Sequence, residues 1–395
     1  MKAGTYLDKC NAEHRLCLSS LLIFVFSVLP TNGQIDTTAK KTVNPADTSR
    51  QEPKSRKDAN NKVQQDQKPP ERYLSLFEEE DLLKVSLRFD VVKFLKKAER
   101  DQSVDGFLTL HFSETDELER KVTLKYRGQS RFERCKYPPT RITFKKPLYE
   151  VSDSGRIKNL KLVNQCQQGS SYGDYVIREY LVYKLYNVLT DTSFRARLIS
   201  LDIIDSENKR KTITQYGILL EPESLLEERL DLVEVKTKNL SQSHMFPAMI
   251  DRLAIFNYMV SNWDWSVPGQ HNVSVFTSVN PTLGGVGIPV PFDFDLTGVV
   301  NAEYAIPPPD LGIETNRDRI FYGICRTEEV YRRELLAFRE KKEELYSVIT
   351  EFPHLGRAEK RDIITFMDQF FDRLEKPRSL NSLIDYLLEN CKGSR

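Results

Sequence analysis

Five polar residues stand close together in one stretch of the chain: Asp264, His271, Asn272, Asp293 and Asp295. Both tryptophans, Trp263 and Trp265, flank the first of them. Carboxylate and amide oxygens are hard ligands that suit Mg2+ or Mn2+, ions that bind carboxylates and substrate phosphates together. A further aspartate on a loop can accept a proton from an attacking hydroxyl. The set points to phosphoryl transfer. Asp264 would orient or deprotonate the acceptor, and Asn272, Asp293 and Asp295 would hold a metal that bridges phosphates. The plainer reading also stands: an Asp-x-Asp often only caps a strand-to-turn junction, and a lone His such as His271 is more often structural.

Such side chains need rigid supports, and the flanking pattern supplies them. Leu253, Phe256 and Val260 recur at helical spacing, so a helix leads into Asp264. Val273 to Phe276 alternates as a strand, and Gly287 to Phe292 reads as a second strand that ends at the two aspartates. A sheet fixes the backbone at its strand ends while the side chains there face open space. Loop Asp, then Asn, then a strand ending in Asp is the order found in protein kinases. The interval from Asp264 to Asn272 is eight residues, longer than the usual five or so, and the chain carries no G-x-G-x-x-G phosphate loop.

Upstream, Tyr73 onward reads as globular. Lys84 to Val91, Gly106 to Phe112 and Lys121 to Gly128 alternate as strands, and two more, RITFKK and NLKLV, follow a Cys135 to Pro139 turn. Val92 to Arg100 reads as a short helix. Lys161 sits mid-strand between Leu160 and Leu162. It is either a solvent-facing residue of a half-buried strand or a group that projects into a cleft to meet phosphate. In the second case a glutamate on the next helix would hold it, and Glu179, early in a helix from Asp174 to Leu189, is the candidate. Arg127 and Arg131 in the RGQSR turn are alternative phosphate ligands, because guanidinium matches phosphate bidentately. Phe194 to Ile204 and Gln215 to Leu220 form two more strands around an Asp205 to Lys209 turn, closing the first lobe or forming a hinge. A helix over Leu225 to Leu230 follows.

These pieces resemble the spore-coat CotH kinase family of secreted or surface proteins. The resemblance is carried by Arg127 to Lys146, Leu160 to Cys166, Arg178 to Leu198 and, most specifically, Asn262 to Ala305 with its SNWDW, HNVSVF and PFDFDLTGVVNAEYA segments. It covers roughly residues 73 to 350. It implies an α+β, atypical protein-kinase-like fold in two lobes: an antiparallel, β-rich N-terminal lobe over 73–221 and a mainly helical C-terminal lobe with the active site over 222–395. It also implies ATP as cofactor with Mg2+ or Mn2+, and a protein substrate offering a Ser or Thr hydroxyl. In its terms Lys161, Glu179 and Arg127 would serve the nucleotide. It favours a Cys135–Cys166 disulfide.

Composition sets limits around this reading. Lys plus Arg number 58 against 57 Asp plus Glu, a balance that gives no reason to expect a nucleic-acid partner. Residues 1–33 match a secretory signal peptide: a basic start, then the apolar run from Leu16 to Leu29, short for a membrane span. The reading is therefore a secreted, periplasmic or cell-envelope protein with no membrane span after signal cleavage. Residues 34–72 are polar and nearly free of large apolar side chains, so a disordered linker is expected there. Cys10 and Cys17 would leave with the signal. Cys135, Cys166, Cys325 and Cys391 remain, and four cysteines allow three pairings. No Cys-x-x-Cys or histidine cluster suggests zinc.

The tail reads as helices over Arg326 to Phe352, Arg357 to Leu374 and Ser379 to Glu389, with Glu328 and Arg332 four apart. Ala305 to Glu314 is proline-rich and extended. Asn239-Leu-Ser and Asn272-Val-Ser are glycosylation sequons, given no weight beside a resemblance to bacterial proteins. Two other functions fit the same residues. One is a catalytically silent pseudokinase used as a binding scaffold. The other is a haloacid-dehalogenase-like phosphatase with Asp293 as nucleophile, for which only about 100 residues remain downstream of Thr297.

Overall fold

The computed structural model describes residues 76–96, 102–128, 130–148, 157–280 and 285–392. The expected signal peptide and linker lie outside these residues. Seven strands close into a barrel in the order β1, β2, β3, β4, β5, β7, β6 and back to β1. They are β1 Leu83–Phe89, β2 Ser103–His111, β3 Glu117–Tyr126, β4 Thr140–Phe144, β5 Asn159–Asn164, β6 Ala196–Asp205 and β7 Ile213–Leu220. Strands β1 to β4 alternate, while β5, β6 and β7 carry runs of consecutive buried residues, and the inward residues fill the barrel: Val85 and Leu87, Leu108 and Leu110, Val122 and Leu124, Leu160 and Leu162, Leu201 and Ile203.

The closure overturns the expected fold class. Strand alternation says which face is buried, not which strands are partners. Six of the seven pairings are antiparallel, but β1 runs parallel to β6, with Leu83 opposite Ile199 and Phe89 opposite Asp205. That seam removes both free edges of what would have been an open antiparallel sheet. The result is a closed mixed barrel followed by helices, not a two-lobed protein-kinase-like fold. Among the described residues there are nine α-helices, most of them in the C-terminal part.

The outer face of the barrel is sewn to those helices by one element. Helix α3, Ser170–Leu189, is apolar nearly all round, as a helix buried on several sides must be. Its Ile177, Leu181 and Leu185 share a core with Leu198, Ile218 and Leu220 of the barrel and with Ile250, Phe256 and Val260 of α5, Pro247–Val260. The same core continues into α6 Glu328–Glu340, α7 Lys342–Thr350, α8 Arg357–Glu375 and α9 Pro377–Asn390. The single helix expected from Arg326 to Phe352 is thus two, separated at Lys341. On its first turn Glu328 and Arg332 form the expected ion pair.

The remaining α-helices are short. Helix α1, Val91–Leu95, is capped by Asp90, whose side chain accepts from the Lys93 amide. Helix α2, Ser130–Arg134, follows β3, and α4, Glu223–Leu230, follows β7. A three-stranded antiparallel sheet, β8 Leu232–Glu234, β9 Val273–Ser278 and β10 Ile288–Pro291, lies in the order β10-β9-β8.

Two disulfides are present, Cys135–Cys166 and Cys325–Cys391. The first is the pair the family resemblance favours. It ties the residue after α2 to the residues after β5. Among the described residues no helix is long and apolar enough to cross a membrane.

Candidate functional site around Arg131

Each acidic residue reaches the site on a separately braced segment. Helix α5 ends at Ser261, whose left-handed backbone (φ 54°) turns the chain. Asn262 then hydrogen-bonds Asn257 on the helix and accepts from the Asp264 amide at 3.0 Å, which fixes the start of the loop. Trp265 buries its ring beside them. Ser266 and His271 exchange both backbone hydrogen bonds at 2.9 Å and close the loop, bringing His271 and Asn272 back over Asp264. This small closed turn accounts for the long Asp264-to-Asn272 interval.

The strand β10 delivers the other two aspartates. The Phe292 amide donates to the Asn272 carbonyl at 2.9 Å, so both segments meet. Asp293 then adopts a left-handed backbone (φ 62°), as Asn272 does (φ 52°). Such conformations cost a non-glycine residue free energy and are held only by their surroundings. Here the Asp293 amide donates to the Tyr183 hydroxyl of α3 at 2.8 Å. Phe294 drives into the core against Tyr183 and Phe256. That anchor separates Asp293, a quarter exposed, from Asp295, which is buried.

Asp264 is gripped on both oxygens. His271 Nε2 lies 2.7 Å from Oδ1, and Asn272 Nδ2 donates to Oδ2 at 2.9 Å and to the Asp264 carbonyl at 2.8 Å. With its amide nitrogen committed to Asp264, Asn272 has its side-chain oxygen as the ligand atom. The hydrogen bond to Asp264 raises the His271 pKa above the ordinary imidazole value.

Arg131 stands at the centre. Its guanidinium is within 3.7 Å of Glu179, 3.8 Å of Asp293 and 3.5 Å of Asp295, and it is buried. Burial works against its charge, but Asp295, Tyr304, Glu179 and Asp293 outweigh it and hold its pKa above the usual value. The acids respond in kind. Burial raises the Glu179 carboxyl well above the normal range, with Arg131 opposing and the two aspartates adding to the rise. Burial likewise pushes Asp295 up to about 7, against Arg131 and with the help of Asp293 and Asp264. Asp293 and Asp295 thus share Arg131 by direct ion pairing, and Asp264 acts on Asp295 electrostatically.

The nucleotide-side residues divide. Arg127 belongs to the cluster: its charge acts on Glu179 and Tyr183, and its Nη1 is buried without a hydrogen-bond partner. Lys161 and Glu179 do not make the expected pair. Lys161 leaves the barrel wall outward and pairs with Glu223 at the start of α4, its Nζ 5.1 Å from the Phe292 ring. Burial opposes charge on Glu223, yet Lys161 wins and lowers its pKa. Glu179 is claimed by Arg131 instead, because the disulfide holds α2 against the end of β5, above α3. Lys161 nonetheless stays next to the site through Phe292, the residue preceding Asp293.

Sequence reasoning missed two members, Tyr183 and Tyr304, and named Arg131 only beside Arg127 as an alternative phosphate ligand to Lys161. Tyr183 lies one helical turn after Glu179, a spacing that signals a shared face. Tyr304, in the NAEYA run, is half-buried and lies within electrostatic reach of Arg131, with its hydroxyl pKa raised by burial.

The chemistry of this set fits a hard divalent cation in its donor atoms: every acceptor is oxygen, and Glu179 Oε1 and Asp295 Oδ2 are buried with no hydrogen-bond partner. In the conformation described, Arg131 supplies the positive charge, and among the described residues no three His, Cys, Asp or Glu side chains close on one ion-sized point. Searches against protein-family models and against curated proteins found no match.

Proposed function

We propose that the chain is an exported, CotH-like phosphotransferase that moves the γ-phosphate of ATP to a protein Ser or Thr hydroxyl with Mg2+ or Mn2+. The observation that carries this reading is the convergence of Glu179, Asp293 and Asp295 on one buried arginine, with Asp264 acting electrostatically on Asp295 and with two carboxylate oxygens that make no hydrogen bond. Isolated buried carboxylates are costly, and a site that gathers three of them gains from a bound cation. Asp293, Asp295 and the Asn272 side-chain oxygen would hold the ion, which when bound neutralises charge on the phosphates. Asp264, oriented by His271 and Asn272, would accept the proton of the acceptor hydroxyl. Arg131 and Arg127 offer guanidinium groups to phosphate oxygens, and Lys161 offers a third cation at the rim. Catalysis in this scheme is positioning and charge neutralisation. The four cysteines Cys135, Cys166, Cys325 and Cys391, joined in two disulfides, favour an oxidising compartment.

The phosphatase alternative draws less support, because β10 sits in a three-stranded antiparallel sheet rather than in parallel strand–helix units. The scaffold alternative shares every contact above and differs only in turnover.

The test is incubation of the purified chain with γ-labelled ATP and Mg2+ or Mn2+, alone and with casein as acceptor. Label on the protein that disappears in Asp264→Asn and Asp293→Ala supports the transfer. Nucleotide binding without transfer supports the scaffold, and label that survives Asp293→Ala removes the metal assignment.

A further inference from the structure

The two sequons find opposite settings in the fold. Asn239-Leu240-Ser241 lies on the loop between β8 and α5, and Asn272-Val273-Ser274 lies at the candidate site. A third Asn-x-Thr, Asn280-Pro281-Thr282, carries proline at its middle position, which blocks acceptor function.

Asn239 is exposed and has a left-handed backbone, φ 63°. Its backbone amide donates to the Pro268 carbonyl at 3.0 Å, so the main chain is held from behind. Gln270 ties the same loop down by donating to the carbonyls of Val235 at 2.9 Å and Thr237 at 3.2 Å. The main chain is fixed while the side chain stands in solvent, where a bulky polar group meets no packed neighbour. Ser241 follows on the surface, half-buried, its hydroxyl accepting from the Ser243 amide at 3.2 Å.

Asn272 differs in every respect. It is 9% exposed, and its amide nitrogen, the atom that would carry a sugar, already donates twice to Asp264. A glycan there would replace one of the two donating hydrogens and force a large polar group into packed surroundings, so chains modified at Asn272 would not reach this fold.

We propose that Asn239 is an N-glycosylation site and that Asn272 is left unmodified. The Asn239 side-chain nitrogen attacks the anomeric carbon of a lipid-pyrophosphate-linked oligosaccharide. The carbon–oxygen bond to pyrophosphate breaks, the lipid pyrophosphate leaves with the electron pair, and the amide gives up one proton to the transferase. The inference is independent of phosphoryl transfer. It requires passage through a compartment that holds an oligosaccharyltransferase, a setting in which the two disulfides also form.

The test is expression of the full chain through a eukaryotic secretory pathway, with the medium and the membrane-enclosed pool both collected. Peptide-N-glycosidase should remove one glycan, shifting the band by a few kDa, and mass spectrometry should find the deglycosylated residue at position 239. Asn239→Gln and Ser241→Ala should each abolish the shift, and Asn272→Gln should keep it. An unmodified Asn239 peptide in disulfide-bonded wild-type protein overturns the proposal, as does a glycan on Asn272 of the folded protein. Should Asn239→Gln fold poorly, Ser241→Ala and the wild-type peptide map decide the question unaided.

Discussion

The Arg131 guanidinium lies 3.5 Å from the Asp295 carboxylate and is a buried cation shared by Glu179, Asp293 and Asp295. Removing one member of such a cluster costs more than its contacts suggest, because the others are left buried and uncompensated. Arg131→Met is therefore expected to destabilise the fold by about 3–5 kcal/mol near pH 7, the range for a broken buried pair. The loss should shrink towards pH 5, where the Asp295 carboxyl takes up a proton and needs no counter-charge. Urea unfolding at the two pH values checks this. Equal losses at both would mean that Arg131 acts by packing alone.

Asp295 gives the site a signature in pH. Its carboxyl is raised from the ordinary aspartate value of 3.8 to about 7 by burial and by the neighbouring aspartates. Between these values the folded chain holds a proton that the unfolded chain has released. The contribution of this group to stability is therefore full below about pH 4 and is lost as pH rises through 7. Carbon-detected NMR should find the Asp295 titration well above ordinary aspartates. Asp293→Asn removes one repelling charge and should lower the midpoint, and added Mg2+ should lower it too. A midpoint that Asp293→Asn leaves unchanged would mean that the two carboxylates are not coupled.

Tyr183 holds the strained Asp293 backbone from helix α3. Tyr183→Phe keeps the ring against Phe294 but removes the acceptor for the Asp293 amide. An unpaired, partly buried amide costs about 1–3 kcal/mol. The variant should lose stability in that range, and the Asp293 amide should exchange with solvent faster. An unchanged exchange rate would show that the amide does not depend on this hydroxyl.

The Cys135–Cys166 bond spans 31 residues of sequence and keeps the turn bearing Arg131 against the end of β5. The chain-entropy estimate for a loop of that length is about 3–4 kcal/mol. Replacing both cysteines by serine should lower stability by about that amount and move the Arg131 turn away from Glu179. Replacing Cys325 and Cys391 should cost stability without disturbing the Asp295 titration, because that bond joins the segment before α6 to the residue after α9.

Local signals were legible where one period decided the outcome. The Lys84–Val91, Lys121–Gly128 and NLKLV patterns appear as β1, β3 and β5, and Leu253, Phe256 and Val260 face the core of α5. Pairing was not legible. Nothing in the pattern of β1 or β6 says that Leu83 meets Ile199 in parallel, and that one seam turns the expected antiparallel lobe into a closed mixed barrel. The site followed the same division. Asp264, Asn272, Asp293 and Asp295 were visible by type and order. Their partners depend on three-dimensional packing: Glu179 meets Arg131 and Lys161 meets Glu223 because α2 is cross-linked above α3 while β5 turns Lys161 outward. Arg131 carried a signal in its four-residue spacing from Arg127, but a polar turn gives no hint of burial.

The account stands or falls on whether the cluster around Arg131 receives a cation together with a nucleotide. Isothermal calorimetry of ATP with Mg2+ or Mn2+, against the wild-type chain and Asp293→Ala, tests this most directly. The account predicts saturable binding that needs the metal and weakens at least tenfold in Asp293→Ala, while the variant keeps its fold by circular dichroism. Binding of equal strength in both chains, or no heat of binding with a correctly folded wild type, would contradict it.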